Sequence, residues 1–179
     1  RRDVDEKFPA DGIKVVATDI REGVVYESNG VKVTAFLVDH SPVTPAFGYR
    51  VDYRGHSVGL SGDTKPSDNL VKFTSGVDLL IHEVAMIPAA LLEKYPAYQA
   101  ILAHHITPED AGKLFAVARP KLAAYSHIVL SGLPSEGIPF PTPADLLAAT
   151  RTTYMGPVVV GSDLMAFKSA LERPSSTSF

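Results

Sequence analysis

The chain has 179 residues, and its 17 lysines and arginines against 20 aspartates and glutamates give a formal net charge of −3. Apolar residues make up 45% and charged residues 21%, a composition typical of a globular protein that excludes a disordered chain. This length fits one domain with a substantial core. The slight acidity leaves no basic excess to bind a polyphosphate, which disfavours a nucleic-acid partner.

The sequence contains no cysteine. This excludes a disulfide scaffold, thiolate metal sites and a cysteine nucleophile, but it does not distinguish a cytoplasmic from an exported protein. The longest apolar run, residues 84–92, is interrupted by Pro88 and is too short for a membrane span. Residues 1–7 lack the apolar core of a signal peptide. We therefore expect no membrane partner, and any metal chemistry must use His, Asp and Glu.

Nine segments are predicted as strands because they are rich in β-branched residues or form short apolar runs. They are residues 13–18, 24–26, 31–38, 47–53, 57–60, 77–81, 122–126, 158–160 and 164–167. Turns at Asn29-Gly30 and Arg54-Gly55 predict two hairpins, since these residues tolerate positive φ.

Two helices are predicted from their first residues. Thr107-Pro108 and Thr142-Pro143 each place a capping hydroxyl before a proline at the first helical position. The first helix ends before Pro120, and the second continues to about Tyr154. Residues 66–73 and 88–102 are weaker helical candidates. Strands followed by strand–helix alternation indicate an α/β or α+β sheet covered by helices.

Candidate functional residues lie at the ends of predicted strands, where loops converge in layered α/β folds. His40, Asp63, His82 and His127 each follow such a segment, and His105 precedes a helix cap. Judged singly, each has a simpler explanation. A lone histidine at a strand end is more often structural, and Asp63 would serve equally well in a turn or cap. His104-His105 could flank a loop, and Glu83 could be a solvated carboxylate.

Five short motifs occur in order along the chain. They are residues 39–50 (DHSPVTPAFGYR), 61–64 (SGDT), 80–83 (LIHE), 105–109 (HITPE) and 125–128 (YSHI). Over residues 15–167 the chain thereby resembles a metallo-β-lactamase-fold hydrolase of the branch that holds ribonuclease Z and arylsulfatase-like enzymes. The resemblance implies an α/β fold, the αββα sandwich, of which this chain is expected to form roughly the C-terminal half.

The resemblance also implies roles for individual residues. His40 matches a ligand of one zinc ion, Asp63 the carboxylate that bridges two, and His127 a ligand of the second. His105 matches the histidine on the leaving-group side of the substrate, and Glu83 the carboxylate that orients it. A complete site would hold two Zn²⁺ ions and act through a metal-bridging hydroxide. Mn²⁺ or Fe²⁺ would also suit His/Asp ligands.

One family signature is missing from the sequence. The motif His-x-His-x-Asp-His, which supplies most of the metal ligands in the family, occurs nowhere in the chain. We therefore expect residues 1–173 to be the C-terminal part of a metallo-β-lactamase-like domain, with 174–179 as a flexible tail. The expected partner is the missing N-terminal half or a second copy of the chain. The isolated fragment should be inactive, because it retains only part of the ligand set.

The substrate expectation follows from a second difference. Ribonuclease Z carries a long tRNA-gripping arm between the segments that match residues 48–50 and 61–63, whereas here only residues 51–60 lie between them. With a pI near 6.1, this predicts a hydrolase of small esters (phosphodiester, sulfate ester or lactone-like). Two alternatives stay open: a ribonuclease Z-like tRNA 3′-processing endonuclease, and a metal-free, non-catalytic binding domain.

Overall fold

The computed structural model describes residues 16–168, which form one mixed seven-stranded sheet with its strands in chain order. The strands are β1 (Gly23–Ser28), β2 (Val31–His40), β3 (Val43–Tyr53), β4 (His56–Leu60), β5 (Leu79–Met86), β6 (Leu122–Leu130) and β7 (Val158–Val160). The helices are α1 (Asp68–Thr74), α2 (Ala89–Lys94), α3 (Pro96–Leu102), α4 (Pro108–Ala118) and α5 (Pro143–Arg151), with a 3₁₀ turn at Pro134–Glu136. The predicted α/β class is confirmed.

Strands β1 to β4 pair antiparallel. The two predicted hairpin turns are present, because Asn29 and Gly30 (φ 52° and 78°) and Arg54 and Gly55 (φ 48° and 79°) adopt the left-handed conformations that such turns require. Strands β4 to β7 pair parallel, and their connections contain the helices.

Both predicted helix caps are present. The Thr107 hydroxyl accepts a hydrogen bond from the Asp110 amide at 3.2 Å and begins α4. Thr142 and Asp145 form a reciprocal capping box at the start of α5. These local interactions determine where the two helices begin.

Three predicted elements differ from the structure. Residues 16–18 are not in a strand, and residues 13–15 lie outside the described range. Residues 164–167 form no strand, and Leu164 is fully exposed with φ 65°. The segment 88–102 forms two helices, because Tyr95 precedes a proline and is held extended at φ −128°, ψ 106°. In addition, α5 ends at Arg151, three residues before the predicted end.

Helix α4 contacts both α1 and α5, and all three helices contact the sheet, so they cover one sheet face. The core lies between them and includes Phe36, Leu80, Phe115 and Tyr125. The opposite face is also apolar. Cross-strand neighbours Tyr49, Leu60 and Ile81 share it, and they are only half-buried. Within residues 16–168, no helix is long and apolar enough to cross a membrane.

Candidate metal centre

The end of β2 and the loop after β4 place His40 beside Asp63. The Asp39 carbonyl accepts hydrogen bonds from the Lys65 amide at 2.8 Å and the Thr64 hydroxyl at 3.2 Å, which ties the loop to β2. Gly62 allows the turn, because its φ is +61° and an added Cβ would lie 2.6 Å from the Phe47 carbonyl oxygen. As a result, His40 Nε2 lies 4.0 Å from Asp63 Oδ2.

The orientation of His40 is set by a backbone group. Its Nδ1 lies 2.9 Å from the carbonyl oxygen of His104. Because a carbonyl only accepts hydrogen bonds, Nδ1 carries a proton, and Nε2 is the ring nitrogen that faces Asp63. A histidine held in this way has the tautomer that a metal ligand needs.

His127 reaches Asp63 through an irregularity in β6. His82 pairs with Tyr125 and Val84 with Ile128, so that β6 contains one extra residue opposite Glu83. At this bulge His127 adopts a left-handed conformation, with φ 43°. Its Nε2 lies 3.5 Å from Asp63 Oδ2.

The three residues that the resemblance assigned to metal are thus brought together. Asp63 Oδ2 faces the Nε2 atoms of both His40 and His127. Imidazole nitrogen and carboxylate oxygen are donors that zinc accepts, and a carboxylate between two imidazoles suits a bridge between two ions. The donor set fits the expected metal, although it is only part of the set for a dinuclear site.

Glu83 and His105 form a second cluster next to this one. Glu83 Oε2 lies 3.1 Å from His105 Nδ1, while Oε1 accepts hydrogen bonds from the amides of Ile106 (3.0 Å) and Thr64 (3.3 Å). Glu83 is buried, with only 2% of its surface exposed. The alternative of a solvated carboxylate is therefore wrong.

Burial dominates the protonation of this pair. It raises the pKa of Glu83 to about 8, against a smaller lowering by the two amides. It also lowers the pKa of His105. Burial thus disfavours both the carboxylate and the imidazolium and favours a neutral pair, in which Glu83 Oε2–H donates to Nδ1. Because Nδ1 accepts in this neutral pair, the single N–H proton of the His105 ring is on Nε2.

The ring of His105 stacks on that of His127 with centroids 5.6 Å apart. Ligand atoms of Glu83, His105 and His127 all lie within 4.8 Å of one another, so these three could also hold an ion. Both carboxyl oxygens of Glu83 are already engaged in hydrogen bonds, however. Asp63, 37% exposed, is the more accessible carboxylate.

Two histidines, His82 and His127, differ from expectation in their position along a strand. His82 does not end a strand, because β5 continues to Met86, and the same holds for His127 in β6, which continues to Leu130. Pairing resumes beyond the bulge and extends both strands. His104 lies in the loop before α4, as its sequence context allowed, and its ring lies 5.6 Å from that of His40. In the sequence, only the adjacency of His104 to His105 indicated that His104 would lie near the site.

A cavity of about 290 Å³ opens beside the cluster and is lined by Asp63, Glu83 and His127 together with apolar side chains of the uncovered sheet face. Imidazole and carboxylate donors beside an open cavity are what a metal-dependent hydrolase requires of its active site.

The comparison with known proteins agrees with this class. A family model described as "Beta-lactamase superfamily domain" matches residues 1–128. The chain belongs to this family, the metallo-β-lactamase superfamily of metal-dependent hydrolases.

Among curated proteins, the chain is similar to ribonuclease Z of Mycobacterium avium, with 34% identity over 116 residues, which are 63% of this chain and 41% of that protein. The fold resembles the metallo-beta-lactamase fold protein YhfI of Bacillus subtilis (TM-score 0.56, 19% identity, 76% of this chain and 48% of the other). It also resembles the short form of human tRNase Z (TM-score 0.53, 23% identity, 79% and 44%). The chain spans about half the length of the curated relatives it matches.

Proposed function

We propose that this chain supplies the C-terminal part of the active site of a ribonuclease Z-like phosphodiesterase acting on RNA. The observation that carries the proposal is the position of Asp63 Oδ2, which faces His40 Nε2 at 4.0 Å and His127 Nε2 at 3.5 Å, beside the Glu83–His105 pair. Curated relatives at up to 34% identity are named ribonuclease Z, which supports RNA over a small ester.

His40, Asp63 and His127 would hold the metal, for which we propose zinc. When bound, two ions would supply Lewis-acid activation of a water molecule and of the phosphoryl group. The contribution of this chain to binding is to hold the three donors in place. The His104 carbonyl orients His40, and the β6 bulge orients His127.

His105 would act as the general acid. With Glu83 Oε2–H donating to Nδ1, the proton on Nε2 is available for the oxygen that leaves when the phosphodiester bond breaks. As Nε2 gives up its proton, Nδ1 takes the proton from Glu83, which leaves a neutral imidazole and a carboxylate. Proton transfer by a positioned side chain typically contributes about 10²–10⁴-fold to rate.

A small-ester hydrolase is the second candidate, and two observations favour it. The turn between β3 and β4 contains only Arg54 and Gly55, and the chain carries a net charge of −3. Such a surface offers little attraction for an RNA backbone. If the protein acts on RNA, the groups that bind the RNA backbone would therefore have to come from outside this chain.

We also propose that the apolar sheet face that includes Tyr49, Leu60 and Ile81 packs against the remaining half of such an enzyme or against a second copy. These side chains are half-buried and lie beside the metal donors. Burying this face would exclude water from the site and bring further ligands to it.

The test uses the full-length natural protein, loaded with zinc and assayed on a precursor tRNA carrying a 3′ trailer and on a small aryl phosphodiester. Trailer removal that Asp63→Asn abolishes and the surface variant Glu93→Gln retains supports the main proposal. Hydrolysis of the small ester alone favours the second candidate. Stoichiometric zinc with neither activity overturns both.

A further inference from the structure

His82 is the most deeply buried ionisable side chain near the candidate site. It is 0% exposed and packs its ring edge against Phe115 at a centroid distance of 5.7 Å. Its Nδ1 lies 2.7 Å from the carbonyl oxygen of Glu83, and since that oxygen can only accept, Nδ1 is the donor. Burial lowers the pKa of His82 to about 4, so the ring is neutral and Nε2 carries no proton.

Nε2 of His82 is buried and has no hydrogen-bond partner within residues 16–168. An unpaired buried acceptor is unfavourable. A leucine or phenylalanine would fill this position between β5 and α4 without that cost. Packing alone therefore does not account for a histidine at this position. The polar contact that the side chain does make is the hydrogen bond from Nδ1 to the Glu83 carbonyl oxygen.

That partner lies at an irregular point of the sheet. Glu83 sits in the register shift opposite the extra residue of β6. Its backbone is held there by two side chains: the Ser61 hydroxyl accepts from the Glu83 amide at 3.0 Å, and His82 Nδ1 donates to the Glu83 carbonyl. A buried carbonyl at a bulge needs such a donor.

We propose that His82 is a positioning residue, which fixes the Glu83 peptide so that the Glu83 carboxyl group meets His105 Nδ1. The functional meaning of this inference rests on the role of His105 proposed above. The structural part does not, because it concerns only the geometry of the Glu83–His105 hydrogen bond. A group held in this way is sensitive to small displacements, and misplacement by about 1 Å can reduce a rate by about 10²-fold.

The test compares two amides that place a donor differently. In His82→Asn the side-chain nitrogen can take the place of Nδ1, whereas in His82→Gln it reaches only the place of Nε2, next to Phe115. The readout is the pair of ¹⁵N chemical shifts of the His105 ring, recorded on the full-length protein, with kcat and KM measured on the same samples.

We expect His82→Asn to keep the wild-type His105 shifts and at least about a third of kcat. His82→Gln should move the Nδ1 shift towards that of a free imidazole and lower kcat by about 10–100-fold, with KM nearly unchanged. Phe115→Leu is the packing control, and it should lower stability without moving the His105 shifts. Wild-type shifts in His82→Gln, or equal losses in both amides, would overturn the proposal, even if the protein proves to have a different substrate.

Discussion

Glu83 Oε2 and His105 Nδ1 lie 3.1 Å apart, although one residue is in the middle of β5 and the other is in the loop before α4. The amides of Ile106 and Thr64 donate to the other oxygen of the same carboxyl group. Glu83 thereby connects the loop that carries His105 with the loop that carries Asp63. Through these hydrogen bonds, one buried side chain links the two clusters of the candidate site.

The first prediction concerns the pH dependence of stability. The pKa of Glu83 is about 8 in the folded chain and 4.5 for an ordinary glutamate. Between these values the folded state binds more protons than the unfolded state, so Glu83 makes stability fall as pH rises. His105, whose pKa is lowered, acts in the opposite direction, but only at and below its ordinary value of 6.5.

From about pH 6.5 to pH 8 the effect of Glu83 should therefore dominate. Over that window we expect the metal-free wild type to lose up to ~2 kcal/mol of unfolding free energy relative to Glu83→Gln. Urea unfolding measures both proteins, with the exposed Glu93→Gln as control. Parallel stability curves for Glu83→Gln and the wild type would contradict the prediction.

The second prediction concerns metal affinity. Asp63→Asn preserves the shape of the side chain and removes the charge that faces both His40 and His127. We expect zinc affinity to fall by at least about 100-fold, since even the loss of groups that only orient a ligand costs 10–100-fold. Isothermal titration and elemental analysis of the full-length protein test this. Unchanged zinc content in Asp63→Asn would rule out Asp63 as a ligand.

The third prediction concerns the core beneath β3. A Cβ added at Gly48 would lie 2.6 Å from Phe36 Cζ and 2.9 Å from the Leu60 carbonyl oxygen. Phe36 stacks on Phe73 with centroids 4.9 Å apart and has little room to move. Gly48→Ala should therefore cost about 1–3 kcal/mol of stability. Combining it with Phe36→Leu should recover part of that loss, and strict additivity of the two changes would argue against a direct clash.

The fourth prediction concerns the start of α5. Thr142 accepts from the Asp145 amide at 3.2 Å, and the Asp145 carboxylate accepts from the Thr142 amide at 2.7 Å. Thr142→Ala should lower the unfolding free energy by about 1 kcal/mol, whereas Thr142→Ser should retain nearly all of it. Chemical denaturation distinguishes the two. A serine variant as unstable as the alanine variant would show that the methyl group matters and the cap does not.

Much of the fold could be read from short stretches of sequence. Asn29-Gly30 and Arg54-Gly55 determine the hairpin turns, and Thr107 and Thr142 with their following prolines determine two helix starts. These features depend on residues within a few positions of one another, and so they are visible in the sequence. The resemblance carried by the five motifs likewise predicted His40, Asp63, Glu83, His105 and His127 as site residues.

What the sequence could not determine is how these side chains are held. The bulge in β6 that turns His127 towards Asp63 arises from pairing with β5, and β5 and β6 extend past the predicted strand ends for the same reason. The His104 carbonyl that sets the tautomer of His40 is 64 residues away in the chain. The burial that raises the pKa of Glu83 exists only once β5, α4 and the loops have packed. Turns and caps are local and were determined by the sequence alone, whereas tautomers, protonation and ligand direction depend on distant partners and were decided only by the tertiary structure.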